Sequence, residues 1–273
     1  MNWQTGDITW QFPRRTLLMG IVNVTPDSFS DGGKFIDADA AAAHALQLAD
    51  DGAELLDIGG ESTRPGAPPV DVAEELRRVI PVIEKLTGQT DAVISIDTQK
   101  PAVAQAATAA GARVINDIAA HRTNDMMWRV AAQTGAGYIA MHMKGTPQTM
   151  QNAPEYEDVV TTVEAFFAER LETMAATGLP AEQVALDPGI GFGKTAGHNL
   201  ALLARLTRFT RFQRPLMVGA SRKSFLGGKV TERLGSSIAC ACRAVAAGAG
   251  IVRVHDVRET AQALRTWEAI NGA

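Results

Sequence analysis

Eight short runs of aliphatic and β-branched residues alternate with eight longer segments rich in Ala, Leu and Glu along this chain. The short runs have the length and composition of buried strands, and the longer segments those of helices. The predicted strands are 17–22, 54–59, 92–97, 113–117, 138–142, 184–187, 215–219 and 250–254. The predicted helices are 37–51, 71–87, 101–110, 124–134, 159–177, 199–208, 231–247 and 258–270.

This alternation predicts an all-parallel α/β protein, because strands joined through helices run in the same direction. The 273 residues fit a (β/α)8 TIM barrel, whose active site lies at the C-terminal ends of the strands. A doubly wound open sheet is the alternative. It would normally carry a glycine-rich fingerprint after its first strand, where this chain has NVTPDSFSDGG. We therefore expect a single TIM-barrel domain over residues 1–273.

The composition and charge of the chain argue against nucleic acid and membranes as partners. With 26 basic and 30 acidic residues the net charge is −4, which argues against a nucleic-acid binder. No stretch approaches the length of a transmembrane span, and the polar N-terminal segment lacks the apolar core of a signal peptide. Cys240 and Cys242 would lie about 200° apart on a helix, too far round it to form a disulfide with each other. We expect a cytoplasmic protein with no membrane or nucleic-acid partner.

Polar side chains follow every predicted strand, at the end where such a barrel has its active site. They are Asn23, Asp57, Asp97, Asn116, His142, Asp187, Ser221 with Arg222 and Lys223, and Arg253 with His255. Any one of them alone could cap a helix or start a turn. Their presence after all eight strands predicts that several act together on one rim.

The loops after the last two strands form a basic sector, GASRKS and RVHD, where barrels often bind phosphate. Arg253 and His255 are two residues apart on a strand and therefore point to the same side. Arg, Lys and His together suit a multiply charged oxyanion. The alternative is a surface cluster in which these cations pair with Asp256 and Glu259.

A second sector carries the acceptors Asp97, Asn116 and Asp187. A carboxylate that accepts two adjacent N–H donors, assisted by an amide, suits a nitrogen heterocycle with an amino-imino edge. Such carboxylates would be costly to bury without a partner. A metal site formed by these acids remains open on residue types alone. His142 fits either a packed barrel residue or a catalytic base.

The glycine-rich stretch DPGIGFGKT superficially resembles a phosphate-binding loop. The Walker pattern requires a glycine five positions before Gly193, where Pro188 stands. The dinucleotide fingerprint requires a third glycine at the position of Lys194. Neither nucleotide motif is present.

In chain order, NVTPDSFSDGG, GGESTRPGA, ISIDTQKP, INDI, MHMKGTP, DPGIGFGKT, GASRKSFLG and RVHDV resemble the successive signatures of the dihydropteroate synthase family. The resemblance extends from about Leu17 to Ala263, and TPDSFSDGG with GESTRPGA is its most specific part. It implies a pterin-binding TIM barrel that forms a homodimer and uses Mg²⁺. It also implies the condensation of 6-hydroxymethyl-7,8-dihydropterin diphosphate with 4-aminobenzoate, which gives 7,8-dihydropteroate and pyrophosphate.

The resemblance also implies roles for individual residues. The pterin site would comprise Asp97, Asn116, Met141, Asp187, Lys223 and Arg253. The diphosphate would contact Thr63, Arg253 and His255, and Asn23 would bind the metal. The 4-aminobenzoate site would comprise Phe29, Thr63, Arg64, Pro65, Phe192, Arg222 and Ser224. The expected catalytic residues are Lys223, Arg253, His255, Asp97 and Asp31, whereas Asp57 and Glu61 are expected to be structural or supporting residues.

The chemistry implied by the resemblance is dissociative and SN1-like: pyrophosphate leaves a pterin-stabilised methylene cation, and the arylamine then attacks. It needs neither a strong general base nor a nucleophilic Ser or Cys. Two loops, TPDSFSDGG and GGESTRPGA, are expected to close and order the amine site after the first substrate and the metal bind. Sulfonamides, as 4-aminobenzoate mimics, are expected to compete. The alternatives are a methyltetrahydrofolate–corrinoid methyltransferase and a non-catalytic pterin-binding protein.

Overall fold

The structure is a computed structural model that describes residues 1–25, 38–62, 66–120, 124–146, 148–150 and 153–272. Its strands are β1 Asn2–Thr5, β2 Ile8–Gln11, β3 Leu17–Asn23, β4 Leu55–Gly59, β5 Val93–Asp97, β6 Val114–Asp117, β7 Gly137–Met141, β8 Val184–Asp187, β9 Met217–Val218 and β10 Ile251–Val254. Its α-helices are α1 Ala38–Asp50, α2 Val72–Leu86, α3 Pro101–Ala110, α4 Met126–Thr134, α5 Val159–Ala176, α6 Ala196–Ala204, α7 Leu234–Ala246 and α8 Val257–Asn271. Over these described ranges, no helix is long and apolar enough to cross a membrane.

Strands β3 to β10 form one parallel sheet, in the order β8-β7-β6-β5-β4-β3-β10-β9. A parallel bridge between Leu186 and Leu216 joins the two ends of this sheet. The sheet is therefore a nearly closed barrel with the helices outside it, and the predicted (β/α)8 TIM barrel is confirmed.

Side chains alternate along each strand between the barrel interior and the helix layer. On β3, Leu17 and Met19 belong to an interior cluster, whereas Leu18 and Val22 pack in the cluster beneath the helices. The interior cluster takes one residue from each of the other barrel strands, namely Leu55, Val93, Val114, Ile139, Ala185, Met217 and Ile251. These apolar residues fill the N-terminal part of the barrel, so a polar site has to lie above them.

A β-hairpin of β1 and β2, which the predicted strands do not include, closes the N-terminal end of the barrel. Trp3 is fully buried in the interior cluster, and its indole N–H donates to the carbonyl oxygen of Gln183 at 2.9 Å. Trp3 and Trp10 face each other across the hairpin, whose turn is Gly6-Asp7. Alternating apolar residues around a Gly-Asp dipeptide are a hairpin signal that the polar composition of this segment obscured.

Removal of the Trp3 side chain is expected to destabilise the fold strongly. Trp3→Ala should lower the free energy of unfolding by about 3–5 kcal/mol, because it leaves a large cavity in the barrel floor. Urea unfolding followed by circular dichroism measures this loss. Trp10→Ala is the matched control, since Trp10 is only half-buried. Equal losses in the two variants would contradict the role assigned to Trp3.

Two of the predicted helices differ from the prediction by three residues or more at an end, and the local structure explains the difference. The predicted helix 199–208 begins earlier, at Ala196, because the Thr195 hydroxyl accepts from the His198 main-chain N–H at 3.2 Å. It also ends earlier, and the chain continues as a 3₁₀ helix over Leu206–Phe212. The predicted helix 231–247 begins only at Leu234, because Val230–Glu232 forms a separate 3₁₀ turn.

Candidate active site

The inward-facing positions become polar toward the C-terminal ends of the strands. The strand register places Asp57 beside Ser95, and one layer higher it places Gly59 beside Asp97. Asp97 in turn lies beside Asn116 on the next strand. Side chains that the sequence placed at separate strand ends are therefore neighbours on one rim above the apolar interior.

Arg253 lies between two carboxylates at the centre of this rim. Its Nε donates to Asp57 Oδ2 at 2.6 Å, and its Nη2 donates to Asp97 Oδ2 at 2.7 Å. Asp57 is fully buried and also accepts from Ser95 Oγ at 2.6 Å and from Asn116 Nδ2 at 2.9 Å. Asp57 is thus held by three donors and fixes both Arg253 and Asn116. We refer to these five side chains as the Arg253 network.

Two acceptors of the Arg253 network are poised for a ligand. The Asn116 side chain is buried, and its Oδ1 has no hydrogen-bond partner within the described residues. Burial raises the pKa of Asp97 to about 7; Arg253 opposes this shift and Asp57 adds to it. An N–H-rich ligand would supply donors to both side chains and would favour the charged form of Asp97.

Asp187 and Lys223 flank the acceptor sector. Asp187 is buried, its Oδ1 accepts from the Gly189 main-chain N–H at 2.7 Å, and burial raises its pKa. The Lys223 ammonium donates to the carbonyl oxygen of Ile190 and lies 4.1 Å from the centroid of the Phe192 ring. Burial lowers the pKa of Lys223 to about 7, although Asp187 acts in the opposite direction. The structure therefore brings together a carboxyl, an amine and an aromatic ring.

An apolar wall lies beside these polar groups. Met141 packs with Ile118, Met143 and Met150, and Phe192 contacts the edge of this cluster. Flexible methionines and one aromatic ring offer a polarisable surface to a flat ligand.

The basic sector divides into two parts. His255 directly follows β10, and its Nδ1 is 3.0 Å from Ser221 Oγ. Arg222, with φ +57°, instead forms a bidentate pair with Asp256, in which the Nε–Oδ2 distance is 2.9 Å. The guanidinium of Arg222 is thus engaged in the pairing with Asp256 that was the alternative for this cluster, whereas Arg253 faces the rim.

The remaining expected site residues fall into two groups. Asn23 ends β3 beside Gly59 in the register, on the same rim as Asp97, and Ser224 begins a short 3₁₀ helix directly after Lys223. Five residues lie outside the described residues, together with most of the two loops expected to close: Phe29, Asp31, Thr63, Arg64 and Pro65.

Supporting residues were the harder ones to identify from sequence. Ser95 had no signal beyond its position two residues before Asp97, and the contact of Asp57 with Arg253 joins residues 196 positions apart. Glu61 pairs with Lys100 and accepts from the Val70 main-chain N–H at 3.2 Å, which ties down one end of the second loop.

Comparison with known proteins agrees with this geometry. A family model described as pterin binding enzyme matches residues 19–255. Dihydropteroate synthase of Escherichia coli (strain K12) is 48% identical over 256 residues, which covers 92% of this chain and 90% of that protein.

Two solved structures extend the comparison to the whole chain. Yersinia pestis dihydropteroate synthase in complex with a sulfonamide drug is 44% identical and superposes with a TM-score of 0.93. Xanthomonas albilineans dihydropteroate synthase with 4-aminobenzoic acid is also 44% identical and superposes with a TM-score of 0.92. In both comparisons 100% of each chain is covered. The resemblance noted in the sequence is thereby confirmed: the chain belongs to the pterin-binding enzyme family, among the dihydropteroate synthases.

Proposed function

We propose that this chain is a transferase of folate biosynthesis that condenses 6-hydroxymethyl-7,8-dihydropterin diphosphate with 4-aminobenzoate and releases pyrophosphate. The observation that carries the proposal is the buried Asn116 Oδ1, which accepts no hydrogen bond from the part of the chain that the structure describes and lies next to Asp97, at the side of Arg253. Acceptors for an N–H-rich ring and donors for an anion lie on one rim. A pterin diphosphate needs both, because it carries the ring and the anion in one molecule.

Asn116, Asp97 and Asp187 are proposed to hold the pterin. The amino-pyrimidine edge of a pterin carries several N–H donors, and these three side chains supply acceptor oxygens. Met141 would contact the ring face. The negative charge of Asp97 and Asp187 also favours the methylene cation that forms when the diphosphate leaves.

Arg253, His255 and Thr63 are proposed to hold the diphosphate. A guanidinium has five N–H donors, and within the described residues Arg253 uses two of them, for Asp57 and Asp97. The others are available to phosphate oxygens. Cleavage of the carbon–oxygen bond leaves its electron pair on pyrophosphate, and donors that meet this growing charge stabilise the transition state. The arylamine nitrogen then forms the new bond to carbon and loses a proton.

Mg²⁺ is the proposed metal, and Asn23 is its proposed protein ligand. Within the described parts of the chain no group of three or more His, Cys, Asp or Glu could hold a metal. One amide oxygen nevertheless fits, since Mg²⁺ commonly takes one or two protein oxygens together with substrate phosphates. When bound, the ion would neutralise charge on the leaving pyrophosphate.

The 4-aminobenzoate site is proposed to lie beside Phe192, Lys223 and Ser224, with Arg222 and the loop residues Phe29, Thr63, Arg64 and Pro65 completing it. Asp31 would help to order the first loop. Sulfonamides share the aniline ring of this substrate, and we propose that they compete for the same position.

The proposed assembly is a cytoplasmic homodimer of one pterin-binding domain per chain, residues 1–273. The homodimer is proposed on the resemblance to the dihydropteroate synthase family. Cys240 and Cys242 are free thiols on the same helix, as a reducing compartment allows.

Pyrophosphate release by the purified protein tests this function. Release should require the pterin diphosphate, 4-aminobenzoate and Mg²⁺ together, and dihydropteroate should form in equal amount. Calorimetry should show that 4-aminobenzoate binds more tightly when pyrophosphate and Mg²⁺ are present. Pterin binding without release would instead favour the methyltransferase or the non-catalytic binding protein.

The raised pKa of Asp97 predicts a pH dependence of pterin binding. Below about pH 7 the carboxyl is protonated and offers fewer acceptor positions, so affinity should fall as the pH decreases through this value. Asp57→Asn removes a neighbouring negative charge and should move this acidic limb to lower pH. Calorimetry with 6-hydroxymethylpterin excludes titration of the diphosphate itself. Asp7→Asn, at an exposed carboxylate in the turn of the N-terminal hairpin, is the control. An acidic limb unmoved by Asp57→Asn would contradict the assignment.

A further inference from the structure

The glycine-rich stretch that matched no nucleotide motif forms the loop between β8 and α6, residues 188–195. Lys194 in this loop is 3% exposed. Its ammonium lies 2.9 Å from the carbonyl oxygen of Gly189, 3.0 Å from that of Phe192 and 3.1 Å from that of His142. His142 Nδ1, at 3.0 Å, is a fourth contact. Main-chain oxygens from two loops thus surround one buried cation, and we call this arrangement the Lys194 cage.

The glycines allow this loop to lie directly against the segment after β7. Gly189 has φ +68°, and a Cβ there would stand 1.9 Å from the carbonyl oxygen of His142. Gly193 has φ +61°, and its Cβ would stand 2.4 Å from the carbonyl oxygen of Lys144. The Tyr156 hydroxyl donates to the carbonyl oxygen of Gly193 at 2.8 Å. The two loops therefore meet backbone to backbone, with Lys194 as the cation between their carbonyl oxygens.

The groups that hold Lys223 belong to the segment 189–192. The first and last carbonyl oxygens of this segment contact the Lys194 ammonium. The carbonyl oxygen of Ile190 accepts from the Lys223 ammonium, and the ring of Phe192 lies against that ammonium. A Cβ at Gly191 would lie 2.6 Å from Lys223 Cδ, so the loop backbone also touches the lysine stem. The position of Lys223 thus depends on the conformation of a segment that Lys194 fixes at both ends.

The physical reason is electrostatic. Carbonyl oxygens that converge on one point repel each other unless a cation or donor lies between them, and buried acceptors left without a donor are costly. An ammonium group supplies three N–H donors and a full positive charge to satisfy them. Without it the loop has to move apart or admit water, and Ile190 and Phe192 move with it.

We propose that Lys194 is a positioning residue for the reaction: its caged ammonium holds the 188–195 loop so that Ile190 and Phe192 keep Lys223 in the active site. This inference rests on the proposed function, because Lys223 and Phe192 belong to the proposed substrate site. Lys194 acts through them and does not contact the substrate.

Chemical rescue of Lys194→Ala tests the proposal. The variant should lose at least about tenfold in kcat/KM for 4-aminobenzoate, since small displacements of positioning groups have large effects on rate. Propylammonium is the fragment that the substitution removes, so it should restore activity saturably. Tetramethylammonium, which has no N–H donor, should not. Lys85→Ala is the control, because it removes an exposed lysine from the last turn of α2. Activity within about twofold of wild type, or a folded variant that propylammonium fails to rescue, would overturn the proposal.

Two further measurements keep the proposal testable if Lys194→Ala folds poorly or the proposed function fails. Tyr156→Phe removes one hydroxyl that holds the same loop and should raise KM for 4-aminobenzoate several-fold; an unchanged KM would count against the proposal.

Hydrogen exchange by mass spectrometry needs no activity. Peptides covering 188–195 should exchange faster in Lys194→Ala and slow again with propylammonium, whereas unaltered exchange would refute the cage. A wild-type protein that releases no pyrophosphate would overturn the function and leave this loop measurement valid.

Discussion

Asp97→Asn should lower kcat/KM for the pterin diphosphate by roughly 100- to 10,000-fold, the equivalent of two charge-assisted hydrogen bonds. The substitution keeps one oxygen that can accept from Arg253 Nη2, so the Arg253 network should stay assembled. It replaces the other acceptor with an NH₂ group, which would face donors of the pterin edge. Steady-state pyrophosphate release at pH 8, above the pKa of Asp97, measures the loss at full ionisation.

The control for this variant tests whether loss of any surface negative charge lowers activity. Asp7→Asn removes an exposed carboxylate that pairs with Arg113 in the turn of the N-terminal hairpin, and it should leave kcat/KM unchanged. The unfolding free energy of Asp97→Asn should stay close to that of the wild type, because a buried carboxyl with a raised pKa contributes little as an ion. Wild-type affinity for pterin in the variant would contradict the proposed pocket.

Arg253→Met should have the largest effect on stability among the site variants. It leaves Asp57 and Asp97 as neighbouring buried carboxylates without their cation, which should lower the unfolding free energy by about 3–5 kcal/mol. Protonation relieves this repulsion, so the loss should shrink as the pH falls toward 5. Urea unfolding at pH 8 and pH 5 measures both effects. Pyrophosphate release should be abolished at either pH, because the diphosphate loses its main donor.

A second substitution distinguishes charge repulsion from lost packing. Asp57→Asn in the Arg253→Met background removes one of the two carboxylates and should recover about 1–3 kcal/mol, the usual range of coupling between contacting groups. Activity should not return with stability. Arg129→Met is the control, since its solvent-exposed pair with Asp125 should contribute little to stability. No recovery in the double variant would mean that packing of the arginine stem, rather than charge, is what Arg253 contributes.

The fold was largely predictable from sequence because the patterns that specify its strands and helices are local. Each strand run, such as LLDIG in β4, is bounded by a helix signal such as Asp71, whose carboxylate caps α2 by accepting from the Glu74 main-chain N–H at 2.8 Å. The barrel then follows from the number and order of the units. The N-terminal hairpin could not be predicted in this way. Trp3 is buried by contact with residues far along the chain, and local composition does not reveal such burial.

The candidate site was predictable only in part, and the division has a physical basis. Residues that face a ligand, such as Asp97 and Asn116, stand at strand ends, a position that can be read from the strand pattern. Contacts between site residues depend on which strands become neighbours, and the strand pattern does not show this. The sequence does not show that Asp57, expected to be a structural or supporting residue, holds Arg253, nor that the Lys194 ammonium is buried among carbonyl oxygens.

The indole of Trp3 and the carbonyl of Gln183 are 180 residues apart in the chain, and β3 completes its pairing only with β10. A growing polypeptide therefore cannot complete this contact until Gln183 has been made. The barrel wall closes later still, after Ile251 has been made. Contacts of such high sequence separation slow folding. During synthesis, the apolar face of the N-terminal hairpin thus stays uncovered until the strands that form the barrel floor have been made.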